Sequence, residues 1–167
     1  VKCTNGSVIE VDQVLYATGR VPATANLGLE EVGIATGRKG EILVDAWSQT
    51  NIPSVFAVGD VTDRVALTPV AIREGAAFVE TVFKSNPTKA DHETIPTAVF
   101  TQPEIGTVGL SEEDAREQEP IEVYVSSFRP MMHILAGRSE RMLMKMIVSQ
   151  ETRRVLGVHI VGHAAAE

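Results

Sequence analysis

The apolar positions of this chain change rhythm about halfway along. Before residue 84 they come in short runs separated by glycine and proline: Val14-Leu15-Tyr16-Ala17, Ile42-Leu43-Val44 and Val55-Phe56-Ala57-Val58. Runs of this length without alternation predict strands buried on both faces. The third run ends at Gly59-Asp60, and Thr68-Pro69 then opens a helix, with Thr68 as N-cap and Pro69 in the first turn. Ile72, Ala76, Val79 and Phe83 recur at helical spacing and predict its apolar face. After residue 94 the rhythm is alternation. Ile95–Phe100, Ile105–Leu110, Ile121–Val125, Met142–Val148 and Val155–Val161 predict strands, with Pro96 placing the first at an edge. Gln150-Glu151-Thr152-Arg153 predicts a turn, and Ser111 caps a short helix whose first turn is acidic. Strands joined by short turns predict an antiparallel sheet with a helix on one face.

Smaller signals complete the outline. Asn5-Gly6 predicts a hairpin tip at the start of the chain. Lys84–Thr94, KSNPTKADHET, is polar and reads as a linker. Alternation puts Met142, Met144 and Met146 on one strand face, a setting that suits core filling or a partner surface. Trp47, the only tryptophan, is expected half-buried in a packing role. His163–Glu167 resembles the first turn of a helix. Together with the abrupt start at Val1, it suggests an internal piece of a longer chain.

Composition narrows the classes. The chain has 167 residues, is 44% hydrophobic, and carries a net charge of −7. A folded core is expected, and a nucleic-acid backbone is a poor partner for so acidic a surface. No apolar run approaches the roughly 18 residues of a membrane helix. Cys3 is the only cysteine, so neither an intrachain disulfide nor a cysteine metal cluster is available. A reducing, cytoplasmic setting is compatible with that.

The residues with candidate chemistry surround the third run. Gly59 permits close approach of another molecule to the backbone. Asp60 stands at the end of the predicted strand, where α/β sheets bind ligands, and an ionised carboxylate accepts hydrogen bonds from hydroxyls. A sugar or polyol chain suits it. The helix start at Thr68-Pro69 presents N–H groups and partial positive charge. Gly19, in Thr18-Gly19-Arg20-Val21-Pro22, allows a sharp bend or a close backbone approach.

AVGDVTDRVALTPVAIREG resembles the second flavin-binding segment of the FAD-dependent pyridine nucleotide–disulfide oxidoreductases, and within them the glutathione reductase branch. ATGRVPAT is similar to that family's crossing from the NADPH domain to the FAD domain. FTQPEIGTVGLSEEDA and FRPMMH are similar to its dimerisation domain. The resemblance implies an α/β plus α+β fold: the end of a FAD/NAD(P)-binding Rossmann-like domain, then an antiparallel sheet with helices. It implies three parts: residues 1–22 ending the NADPH domain, 23–88 the second half of the FAD domain, and 89–167 a dimerisation domain.

It also implies site roles. Asp60, following Gly59, holds the ribityl chain of FAD. The helix start at Thr68 and Pro69 points at the flavin ring. The backbone of Ala66 and Leu67 approaches the flavin–nicotinamide contact. Gly19 and Arg20 lie near the pyridine nucleotide, and Val99 lies on the nicotinamide side. FAD and NADPH are the implied cofactors. The implied partners are a second copy of the chain, through residues 89–167, and a small disulfide such as glutathione disulfide. No nucleic acid, membrane or metal is implied. Dihydrolipoamide dehydrogenase, mercuric reductase and trypanothione reductase are alternatives within the family. A non-catalytic dimerisation module is the alternative outside it. These 167 residues contain no GxGxxG, no cysteine pair and no His-Pro…Glu segment. No catalytic residue is therefore expected among them. Several glutathione reductases carry an arginine for substrate carboxylate where this chain has Ala76, with Arg73 one helical turn earlier.

Overall fold

A computed structural model describes all residues, 1–167, and divides them into two compact units, 1–90 and 91–167. In the first unit, Val1–Glu10 fold back as the predicted hairpin, with a different tip. Thr4 and Asn5 form the turn, closed by Gly6 N–H donating to the Cys3 carbonyl at 3.0 Å. Gly6 follows at φ 85°. This is a three-residue loop ending in a left-handed glycine bulge, the geometry glycine takes without steric cost.

The buried parallel strands expected in this unit do not form. Val14–Ala17 forms no strand and is exposed, with Leu15 at 89%. Ile42–Val44 and Val55–Val58 contribute only isolated bridges, Thr36 to Ile42 and Gln49 to Phe56. The apolar residues are nonetheless used. Ala57, Ile34 and Ile42 form a core with Leu29, Val44, Ile52, Val55 and Val61 around it. A buried strand needs hydrogen-bonded partners along its length, and residues 1–90 supply these runs with no more than single bridges. Gly59–Thr62 then turns as a short 3-10 helix.

Helix α1 spans Thr68–Phe83. Two expectations fail here. The N-cap is Leu67, in extended geometry and without a side-chain cap, rather than Thr68. The buried face is Val70, Glu74 and Ala77, whereas Ile72 and Phe83 are 68% and 72% exposed. The period is helical as expected and the phase is rotated, because an acidic residue occupies the buried stripe. Phe78 packs with Phe56, ring centroids 5.0 Å apart. Trp47 is 39% exposed and carries the Lys89 ammonium 4.4 Å from its ring centre.

The second unit is a five-stranded antiparallel sheet: β1 Thr97–Val99, β2 Glu104–Gly109, β3 Ile121–Phe128, β4 Met142–Ser149 and β5 Val155–Gly162, in the order β1-β2-β5-β4-β3. Each strand matches a predicted run. β1 lies at the edge, just after Pro96, where a missing N–H costs nothing. α2 spans Glu112–Gln118, and the Ser111 hydroxyl oxygen accepts the Asp114 N–H at 3.1 Å. Ala115 of α2 packs on Ile121 and Ile147, with Leu110, Val123 and Leu156 around them. Lys145, on the same side of β4 as Ile147, pairs with Glu112 of α2. The opposite face carries Met144 and Met146, 37% and 38% exposed, with Tyr124 paired across from Met146.

A further short helix, α3 Met131–Leu135, follows Pro130 and was not foreseen. His133 on it is 2% exposed. Its Nδ1 lies 3.2 Å from the Glu140 carbonyl, and its ring meets that of His163 edge-on at 5.5 Å. His159 has the structural role expected of it. Its Nε2–H donates to the Leu110 carbonyl at 3.0 Å, so Nδ1 is left to accept from the Thr107 hydroxyl. His163–Ala166 is a turn, not a helix start. Ala164 at φ 58° turns the chain into left-handed geometry that a right-handed helix excludes.

Candidate cofactor site around Gly59 and Asp60

Gly59 sits at φ 75° beneath α1, and a Cβ built on it would lie 3.1 Å from the Ala71 Cβ. Only glycine fits both the backbone angle and the gap. Its N–H donates to the Glu74 carboxylate at 2.5 Å, and its carbonyl accepts from the Thr62 hydroxyl at 2.8 Å. Asp60 follows directly. Its carbonyl accepts the Asp63 N–H at 3.2 Å, closing the 3-10 turn, while its side chain is exposed. Asp60 opens on a cavity of about 260 Å³ lined also by Arg20, Val21, Pro22, Ala23, Val61, Asp63 and Ala66. Of the two acids there, Asp63 is engaged by Lys39 at 2.7 Å, leaving Asp60 as the available carboxylate.

The start of α1 is open but offers less than expected. Pro69 has no N–H, and the Val70 and Ala71 N–H groups already donate to the Leu67 carbonyl, at 3.0 and 3.1 Å. Thr68, exposed, is the remaining donor, through its N–H and hydroxyl. The positive end of a 16-residue helix dipole still lies there, with no acidic residue in the first turn to offset it.

The predicted residues thus separate into groups. Arg20, Asp60 and Ala66 share one cavity. Gly59, Leu67, Thr68 and Pro69 shape the turn and helix start beside it. Gly19, at φ 113°, is exposed, with no atom within 4 Å of where its Cβ would be. Val99 belongs to the second unit, where it ends β1 opposite Ile105 and is 43% exposed.

Sequence reasoning missed Glu74 and Arg64. Glu74 is 1% exposed and ion-paired with Arg64 at 2.9 Å. Arg64 also donates to the hydroxyls of Ser48, at 3.0 Å, and Thr62, at 3.3 Å. The available signal was a glutamate inside an otherwise apolar helical stripe.

Residues 1–75 match the pyridine nucleotide-disulphide oxidoreductase family model, and residues 95–167 match the model of that family's dimerisation domain. The chain belongs to the pyridine nucleotide–disulphide oxidoreductases. It is 50% identical to the chloroplastic/mitochondrial glutathione reductase of Pisum sativum over 167 residues, 99% of this chain and 30% of that protein. It is also 50% identical to the glutathione reductase of Burkholderia cepacia, over 100% of this chain and 37% of the relative. A trypanothione reductase of Trypanosoma congolense is 45% identical over 98% of this chain and 34% of its own length. The chain therefore spans about a third of the length of these relatives. Among solved structures it resembles the HOCl-induced flavoprotein disulfide reductase RclA of Escherichia coli. The TM-score is 0.80 at 28% identity, over 89% of this chain and 35% of the other. The α/β plus α+β class expected from the sequence agrees with this likeness. No helix is long and apolar enough to cross a membrane.

Proposed function

We propose that these residues serve a flavoprotein disulfide reductase that takes electrons from NADPH through FAD and a dithiol to a small disulfide, glutathione disulfide being the best candidate. The observation that carries this reading is the pairing of a free carboxylate, Asp60, with a cavity and an uncapped helix start. A polyol chain needs acceptors for its hydroxyls, and Asp60 has no other partner. A ring system that gains negative charge needs a positive neighbour, and the start of α1 is one. A 260 Å³ cavity lies below the roughly 300–1,000 Å³ of whole-ligand pockets, so it suits only part of a dinucleotide.

In this reading Asp60 holds the ribityl hydroxyls and Gly59 gives the close approach. Thr68 and Pro69 present the helix start to the pyrimidine edge, and the Ala66–Leu67 backbone borders the flavin–nicotinamide contact. Gly19 and Arg20 border the pyridine nucleotide, and Val99 its nicotinamide side. Bound FAD supplies the two-electron relay between nucleotide and dithiol. Residues 1–22 close the NADPH domain, 23–88 belong to the FAD domain, and 89–167 pair with a second copy. The single cysteine suits a reducing compartment, and the cytoplasm is the location this reading adopts. The relatives named are glutathione and trypanothione reductases, which favours that branch over dihydrolipoamide dehydrogenase and mercuric reductase.

The test is Asp60→Ala in the full-length gene product. Loss of a charge-assisted acceptor is expected to weaken FAD retention by about ten- to a hundred-fold. Flavin content equal to the parent's after gel filtration would refute the role of Asp60.

A further inference from the structure

We propose that the pair formed by buried Glu74 and half-buried Arg64 is a positioning device for Asp60. It fixes the Gly59–Asp60 turn against α1 and so holds the carboxylate ready for a hydroxyl-bearing cofactor. This rests on the reading of Asp60 as the cofactor's acceptor and adds two residues to it.

The geometry closes on itself. One Glu74 oxygen accepts the Gly59 N–H at 2.5 Å, and the other pairs with the Arg64 guanidinium at 2.9 Å. Arg64 reaches the Thr62 hydroxyl oxygen, and that hydroxyl donates to the Gly59 carbonyl at 2.8 Å. Both backbone polar groups of Gly59 are therefore held, the N–H by Glu74 directly and the carbonyl by Thr62, whose hydroxyl Arg64 contacts. Ser48, 5% exposed, accepts a further Arg64 N–H at 3.0 Å and helps anchor the guanidinium. Asp60 is covalently next in line, and its own carbonyl is tied down by Asp63. What remains free is its carboxylate.

Stability alone does not explain the arrangement. Burying the Glu74 carboxylate costs several kcal/mol, which the partly exposed Arg64 guanidinium offsets only in part, and well-packed apolar residues often serve a core as well or better. Val70 and Ala77 on the same stripe show that apolar side chains fit this face. A charged pair does what they cannot: it specifies one position for one backbone amide. An acceptor held in its bound geometry loses little entropy when the ligand arrives.

The experiment uses the full-length gene product with FAD bound and reads the FAD dissociation rate by flavin fluorescence. Glu74→Gln, Asp60→Ala and the double variant are compared in protein shown to be folded by near-UV circular dichroism. Glu74→Gln is expected to speed FAD loss about tenfold, and the double variant to lose FAD no faster than Asp60→Ala, because residues acting through one group are not additive. The proposal is overturned if Glu74→Gln lowers the melting temperature yet leaves the rate at the parent's value. It is also overturned if the two effects multiply. Should Glu74→Gln not fold, Thr62→Val keeps the Glu74–Arg64 ion pair and removes the hydroxyl that links Arg64 to the Gly59 carbonyl. A roughly threefold faster loss supports the proposal, and an unchanged rate sinks it. An Asp60→Ala variant that retains FAD normally removes the underlying reading. Normal retention by Glu74→Gln beside a defective Asp60→Ala removes the positioning role alone.

Discussion

The Gly59 backbone rests on Ala71 of α1, so close that a methyl at position 59 would meet the Ala71 methyl at 3.1 Å. Gly59→Ala therefore meets two penalties, the gap and a φ of 75°. The backbone penalty alone is about 1–2 kcal/mol. The urea midpoint of the chain is expected to fall accordingly. A variant as stable as the parent would mean the turn is not held as described.

Glu112 links α2 to β4. Hydrogen bonding by Lys145, then by Arg116, holds its carboxyl below the ordinary value of 4.5. A carboxylate with a lowered folded pKa adds stability above its unfolded value and loses it as pH falls through the folded one. The stability difference between parent and Glu112→Gln is thus expected to be full above about pH 4.5 and to vanish at lower pH. Urea melts between pH 2.5 and 6, run in roughly 0.02 M salt to limit screening, would show it. A difference that grows on acidification contradicts the pairing.

Met144 and Met146 stand half-exposed beside Tyr124 on the sheet face opposite α2. If two copies meet there, Met144→Lys with Met146→Lys places charge in the contact and weakens self-association by more than about tenfold. Sedimentation equilibrium measures it. An unchanged dimer constant moves the interface elsewhere.

The 167-residue chain by itself has one thiol, Cys3. It is expected to show no disulfide-dependent oxidation of NADPH, since two electrons have no dithiol to occupy. Measurable turnover with glutathione disulfide, followed at the NADPH absorbance band, contradicts this.

The legible part of the sequence was the part whose partners are near in the chain. Ser111 and Asp114 announce a helix start three residues apart, and Gln150–Arg153 turns β4 directly into β5. The first unit was harder for a physical reason. Val14–Ala17 and Val55–Val58 have the composition of buried strands, but composition does not supply the neighbours that make a ladder. The phase of α1 was misread because hydrophobicity alone points to Ile72, Ala76, Val79 and Phe83. The stripe that is buried contains Glu74, whose burial depends on Arg64, ten residues away in a loop. Thr68 looked like a cap by residue type, but Leu67 takes the extended geometry that starts the helix. Asp60 stood out only within the longer AVGDVTDRVALTPVAIREG pattern, because turn chemistry alone accounts for a glycine–aspartate pair after an apolar run.

The outward stripe of α1 bears on how the chain behaves on the bench. Ile72 and Phe83 leave most of their surface in water, and Val79 and Val82 are each 41% exposed on the same helix. Warmed molecules are expected to stick to one another there before they fully unravel. A scan would then report a clouding temperature that climbs with heating rate and drops with concentration, a kinetic limit rather than an equilibrium midpoint.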